Sequence, residues 1–137
     1  MTIFEVEEDL KREKFAIEKF VSLFNGSYEK LGQFDIDYKV FNESKELIAY
    51  VEVKGRIKTI ANAYPLPIAL RKLVKLSDKR LNPVVIWACE DGIIYAQINN
   101  LIGQVKFSGR QARAKSTNDM ELMAYYDKQK AFKYIRY

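Results

Sequence analysis

The sequence predicts an α/β fold of the α+β kind, with a central mixed β-sheet flanked by helices. Three observations carry this prediction: an amphipathic stretch at the start, two pairs of apolar or β-branched runs separated by turn residues, and a helical pattern lying between those pairs. A chain of 137 residues, 48% hydrophobic and 13% aromatic, can bury one substantial core. We therefore expect a single domain spanning residues 1–137.

Between Glu5 and Phe24, the residues Leu10, Ile17, Val21 and Phe24 fall on one face of a helix, which Asn25-Gly26-Ser27 ends. Phe34–Phe41 and Leu47–Lys54 are rich in β-branched and aromatic residues, and Asn42-Glu43-Ser44-Lys45 between them is turn-like, so an antiparallel hairpin is expected. A second helix is expected after Pro65, with Pro67 in its first turn and Ile68, Leu70, Leu73, Val74 and Leu76 as apolar positions. Arg71, Lys72, Lys75 and Lys79 would form its polar face.

Val84–Cys89 reads as a buried strand, Glu90-Asp91-Gly92 as a turn and Ile93–Ile98 as the returning strand, with Trp87 packed in the core. Gln104–Ser116 holds Lys106, Arg110, Arg113 and Lys115 without an acid, and Gly109 suggests a loop or bulge. Glu121–Tyr137 fits a strand or a helix equally, and Tyr125 and Tyr126 are read as buried or half-buried strand residues.

Composition removes several kinds of chemistry. The absence of histidine excludes the usual zinc sites and histidine-based triads, and Cys89, the single cysteine, cannot form an internal disulfide. The acidic start resembles no signal peptide, and no segment approaches the roughly 20 apolar residues of a membrane span. A soluble, cytoplasmic protein without membrane contact is expected. Catalysis would have to rest on carboxylates, lysine or hydroxyls. Charge is divided along the chain: residues 1–53 carry 7 Lys+Arg against 12 Asp+Glu, and residues 54–115 carry 12 against 3. The halves meet at Glu52 and Lys54, where carboxylates able to hold a cation adjoin basic groups able to hold a polyanion.

Within Tyr50-Val51-Glu52-Val53-Lys54, strand alternation puts Glu52 and Lys54 on one face and Val51 and Val53 on the core side. A turn at Ser44-Lys45 sets Asp37 opposite Glu52; a four-residue turn at Asn42–Lys45 sets Asp35 there instead. Either register gathers two carboxylates and one lysine. Two such carboxylates, with phosphate and water, can complete the octahedral shell of magnesium, and Lys54 can orient a water or offset charge developing on a phosphate.

Asp37, followed after fourteen residues by Glu52-Val53-Lys54, with a glutamate-bearing helix before it and a basic helix after it, resembles the PD-(D/E)XK nuclease superfamily. The resemblance runs from about residue 5 to residue 98. Glu52-Val53-Lys54-Gly55-Arg56 is a common form of the second motif, and the Tyr64-Pro65 and Asp91-Gly92 segments are similar to small phage-encoded members. Ile36, or Phe34 if Asp35 is the acid, stands where the motif has proline. The resemblance implies a restriction-endonuclease-like core and a Mg2+- or Mn2+-dependent deoxyribonuclease. In it Asp37 or Asp35 is the first acid, Glu52 the second acid and Lys54 the motif lysine, with a helix glutamate, Glu18 or Glu13, as a further ligand. DNA is the implied partner, contacted by Arg56, Lys72, Lys75, Arg110, Arg113 and Lys115, and pairing as a homodimer is common among members. The alternative is a non-catalytic nucleic-acid-binding module on the same fold; a third reading is an assembly protein whose charged halves meet protein partners.

Overall fold

The computed structural model describes residues 7–32, 36–108 and 120–137. Its first helix, α1 (Glu7–Ser22), begins with Glu7, Glu8 and Asp9, whose negative charge suits the positive end of a helix dipole. It buries Ala16, Ile17, Phe20 and Val21. Leu10, expected on the same stripe, is instead 43% exposed. Asn25 takes a positive φ of 53°, and Gly26 N–H closes the helix on the Val21 carbonyl at 2.9 Å.

The chain then enters β1 (Ser27–Lys30), which the sequence pattern does not signal, since Ser-Tyr-Glu-Lys has neither alternation nor β-branched residues. It lies at the sheet edge, antiparallel to β2 (Tyr38–Phe41), and β2 pairs in turn with β3 (Leu47–Gly55). The β2–β3 turn covers Asn42–Glu46, with Lys45 at φ 69°. It is longer than either turn expected from the sequence. A register shift beside Val40 and Phe41 compensates, so that Tyr38 opposes Val51.

Residues 66–69 correct the sequence reading. They form a strand, β4 (Leu66–Ala69), and the second helix, α2 (Leu70–Asp78), starts only after it. Pro67 is tolerated because β4 lies at the edge of its sheet, and its carbonyl accepts Trp87 Nε1–H at 2.8 Å. Leu73 and Leu76 are the buried side of α2, whereas Val74 is 62% exposed.

Then come β5 (Pro83–Ala88) and β6 (Gly92–Gln97), an antiparallel pair as expected, followed by β7 (Gln104–Ser108), β8 (Glu121–Tyr126) and β9 (Lys133–Arg136). The six-stranded sheet runs β1-β2-β3-β5-β6-β9, and the smaller one β4-β8-β7. Among the described residues only β3 and β5 pair in parallel; the connection between them carries β4 and α2. The ambiguous C-terminal stretch is therefore two strands in two different sheets. At Gly92 the β6–β9 approach leaves no room for a side chain, as a Cβ there would collide with the Ile135 carbonyl oxygen.

The large sheet is covered on both faces. Ala16, Ile17 and Phe20 of α1 pack with Val51, Val53, Val84 and Ile86 on one face; Val85, Trp87 and Ile94 pack with Leu73, Leu76, Ile68 and Tyr126 on the other. Every residue of β5 is buried. Trp87 is a core residue, as expected, and so is Tyr126, while Tyr125 is half-buried with Lys106 Nζ 5.7 Å from its ring centroid. Asp91 is a turn residue that also accepts Ile60 N–H at 2.8 Å and pairs with Arg136 at 2.8 Å. Among the described residues no helix is long and apolar enough to cross a membrane.

Candidate active site

The parallel ladder of β3 on β5 places Glu52 beside Val85 and Lys54 beside Trp87, on the sheet face that α2 covers. Asp37 precedes β2 by one residue, and the Tyr38–Val51 pairing continues to bring it opposite Glu52. With β2 starting only at Tyr38, the Val53 N–H has no strand partner on that side, and the Asp37 carboxylate accepts it through Oδ2 at 2.8 Å.

Glu52 departs from the expectation of an emerging side chain, since it is only 4% exposed. Sheet, α2 and the smaller sheet enclose it. Lys72 Nζ of α2 lies 3.1 Å from Glu52 Oε2, whereas Oε1 is buried without a hydrogen-bond partner. A buried carboxylate oxygen left unsatisfied costs about 1–3 kcal/mol or more, so one that persists calls for a missing partner. Burial pushes the Asp37 carboxyl up to about 7, with the negative charge of Glu52 adding to the effect and the Val53 N–H opposing it.

These groups face a cavity of about 470 Å³ lined by Asp9, Arg12 and Glu13 of α1, Asp37, Glu52 and Lys54, Arg71 and Lys72 of α2, and Glu121 and Met123 of β8. Asp37, Glu52 and Lys54 thus share one cavity, with Lys54 at its exposed rim. Besides Lys72 on Glu52, Arg12 bonds Asp9 at 2.9 Å and Arg71 bonds Glu121 at 3.0 Å.

Of the two helix glutamates, Glu13 lines the cavity, and Glu18 does not. Glu13 Oε1 accepts the Tyr38 hydroxyl at 2.8 Å and Lys30 Nζ at 3.1 Å, while the exposed Glu18 accepts the Tyr28 hydroxyl at 3.0 Å. The sequence held a signal for this. Glu13 is one turn before Ile17 and in line with Phe20, so it extends the buried stripe, and Glu18 falls beside that stripe. Arg12, one turn before the buried Ala16, lines the cavity too and was not singled out from the sequence.

The basic residues separate as well. Lys72 sits at the carboxylates and not on a solvated helix face, because α2 turns that side toward β3. Lys75, one turn on, is exposed and outside the cavity. Arg56 holds the backbone in place: its Nε donates to the Ala63 carbonyl at 2.9 Å and its Nη2 to the Pro65 carbonyl at 3.3 Å, across the cis Tyr64-Pro65 bond. Asp35, Arg110, Arg113 and Lys115 lie outside the described residues.

Among the described residues no group of three or more His, Cys, Asp or Glu side chains is arranged to hold a metal ion. Asp37 and Glu52 form a pair. That set still fits magnesium, which keeps several waters and is commonly held by one or two carboxylates together with substrate phosphates. The unpartnered Oε1 of Glu52 supplies the open donor that such an ion requires.

A family model described as "Phage putative PDDEXK endonuclease" matches residues 2–135. The chain belongs to this family. The PD-(D/E)XK assignment agrees with the mixed sheet, the parallel β3–β5 pair and the helix crossing between them, and it gives the α+β fold a restriction-endonuclease-like core. No curated protein and no solved structure gives a significant match. Within this phage PD-(D/E)XK endonuclease family, the match extends over the C-terminal strands that lie beyond the sequence resemblance.

Proposed function

We propose that the protein is a Mg2+- or Mn2+-dependent endonuclease that hydrolyses phosphodiester bonds of DNA at the cavity between α1, β3 and α2. The observation that carries this reading is the buried, unpartnered Oε1 of Glu52 beside an Asp37 carboxyl raised by the same crowding. Asp37 and Glu52 would hold the cation. Once bound there, it would supply positive charge to polarise the scissile phosphate and lower the pKa of a water.

The protein's own groups do the rest. Asp37 is fixed by the Val53 N–H, so its second oxygen is oriented without freedom to rotate away. Lys54, at the rim, orients the attacking water and offsets charge developing on the phosphate. Arg12 and Arg71 flank the same opening, where phosphates on either side of the scissile bond would meet them. Glu13 braces β2 through the Tyr38 hydroxyl and adds negative potential near Asp37. In this reading residues 1–137 act as one domain on DNA in the cytoplasm, and two copies would serve the two strands of a duplex.

The test is cleavage of a panel of labelled DNAs with Mg2+ or Mn2+, comparing the natural protein with Glu52→Gln and Lys54→Ala. Cutting by the natural protein, with a loss of at least about a hundredfold in each variant, is the expected result. A protein that shifts DNA in a gel equally well in all three forms and cuts none of the panel would instead be a binding module on this fold.

A further inference from the structure

Lys72 is placed where a helix should not hold a cation. It lies in the first turn of α2, next to Arg71, and that turn contains no acidic residue, although the positive end of a helix dipole favours negative charge. Its stem approaches the cavity wall, its side chain is 27% exposed, and its ammonium is 3.1 Å from Glu52 Oε2. Glu52 is the one buried charged residue among the described side chains. A carboxylate so enclosed requires a counter-charge, and Lys72 provides it.

The pairing uses only one oxygen. Oε1 is left open, and Asp37 lines the same cavity. A divalent ion held by those two carboxylates would share Glu52 with the Lys72 ammonium, and the two like charges would repel. Ion pair and metal compete for Glu52. Lys72 has somewhere to go, because a four-carbon stem with a compact charge can move to a new anion at the same cavity wall.

Building on the function proposed above, we infer that Lys72 is an internal counter-cation: it neutralises Glu52 while the site is unloaded, is displaced when a divalent ion binds, and then engages a phosphate of the DNA. Metal loading and DNA binding are thereby coupled, because the ion releases the group that DNA needs. Lys72 acts through Glu52 in the first state and as a phosphate contact in the second.

Calorimetric titration of Mn2+ into the full chain without DNA tests the first state. Lys72→Met keeps the stem and removes the charge, and it is expected to bind Mn2+ about tenfold more tightly than the natural protein. Lys72→Arg, which restores the charge, is expected to return toward the natural affinity. Lys72→Gln should shift in the same direction as Lys72→Met, and circular dichroism checks that each variant is folded. The second state is read from duplex binding in a Lys54→Ala background. There Lys72→Met should weaken binding several-fold with Mn2+ present and leave it unchanged without Mn2+.

Natural protein that binds Mn2+ while both Lys72→Met and Lys72→Gln bind it no more tightly would overturn the counter-cation role and leave the metal site standing. Equal weakening of DNA binding with and without Mn2+ would overturn the exchange, since a fixed phosphate contact behaves that way. Failure of the natural protein to bind Mn2+, with Glu52→Gln behaving identically, would remove the metal site and this inference together.

Discussion

A carboxyl pressed against a buried carboxylate must give up its charge or find a cation, and Asp37 shows the consequence. Burial first, and Glu52 second, lift it from 3.8 to about 7. Between those values the folded chain binds more proton than the unfolded chain, so stability falls as pH rises through this window, and the penalty is complete above about 7. Asp37→Asn removes the charge and keeps an acceptor for Val53 N–H. We expect this variant, in the presence of a chelator, to melt a few degrees above the natural protein at pH 8 and to show a smaller difference at pH 5. Thermal unfolding at the two pH values measures it, and an equal shift at both would show that ionisation is not the cause. Cys89 follows the same logic without a site: burial pushes its thiol up to about 11.

Among the elements, β3 does most to position the site, because one strand carries Glu52 and Lys54 and its neighbours deliver the rest. The irregularity beside Val40 and Phe41 matters as much as the strand itself. It offsets the longer turn and keeps Asp37 opposite Glu52; without it the facing residue would change and the side chains of β2 would reverse faces. Helix α1 is tied to β2 by the Tyr38 hydroxyl, which donates to Glu13 Oε1 at 2.8 Å beside Lys30. Burial, and then the Glu13 carboxylate, raise that hydroxyl's pKa, so it remains a donor throughout the working range. Tyr38→Phe leaves a partly buried carboxylate with one donor fewer and should cost about 1–2 kcal/mol. A shift of the urea midpoint with an unchanged slope would register it, and no shift would mean that Lys30 and water suffice.

Across the whole molecule, the net charge of +5 matters less than where opposite charges meet. Acidic groups of α1, Asp37 just before β2 and Glu52 of β3 meet the basic first turn of α2 at one opening, and Arg12, Lys54, Arg71 and Lys72 all line it. If DNA seats there, each phosphate neutralised releases condensed counterions, and four contacts, Lys72 among them once a divalent ion is bound, give a slope of about −4 in log affinity against log salt. Gel shifts or fluorescence anisotropy over a salt series measure that slope. A flat profile would mean that DNA does not use this face.

Much of the architecture was legible locally. Helix α1, the β2–β3 and β5–β6 hairpins and the shared face of Glu52 and Lys54 follow from periods of 3.6 and 2 and from turn residues, all of which lie within short windows. Residues whose structure is set by distant partners were not. Strand β4 reads as the start of a helix until its pairing with β8 is known, and the C-terminal stretch is ambiguous because β8 and β9 join different sheets. Likewise, the sequence could narrow the first acid only to Asp35 or Asp37, and the helix glutamate only to Glu13 or Glu18. By itself it determined which kinds of side chain were available for chemistry: carboxylates, lysines and hydroxyls, with no histidine to compete. Only tertiary structure decided that Glu52 is buried and that Lys72 is its counter-ion, because a side chain's solvation and its ion partner depend on what the crossover from β3 to β5 lays across it.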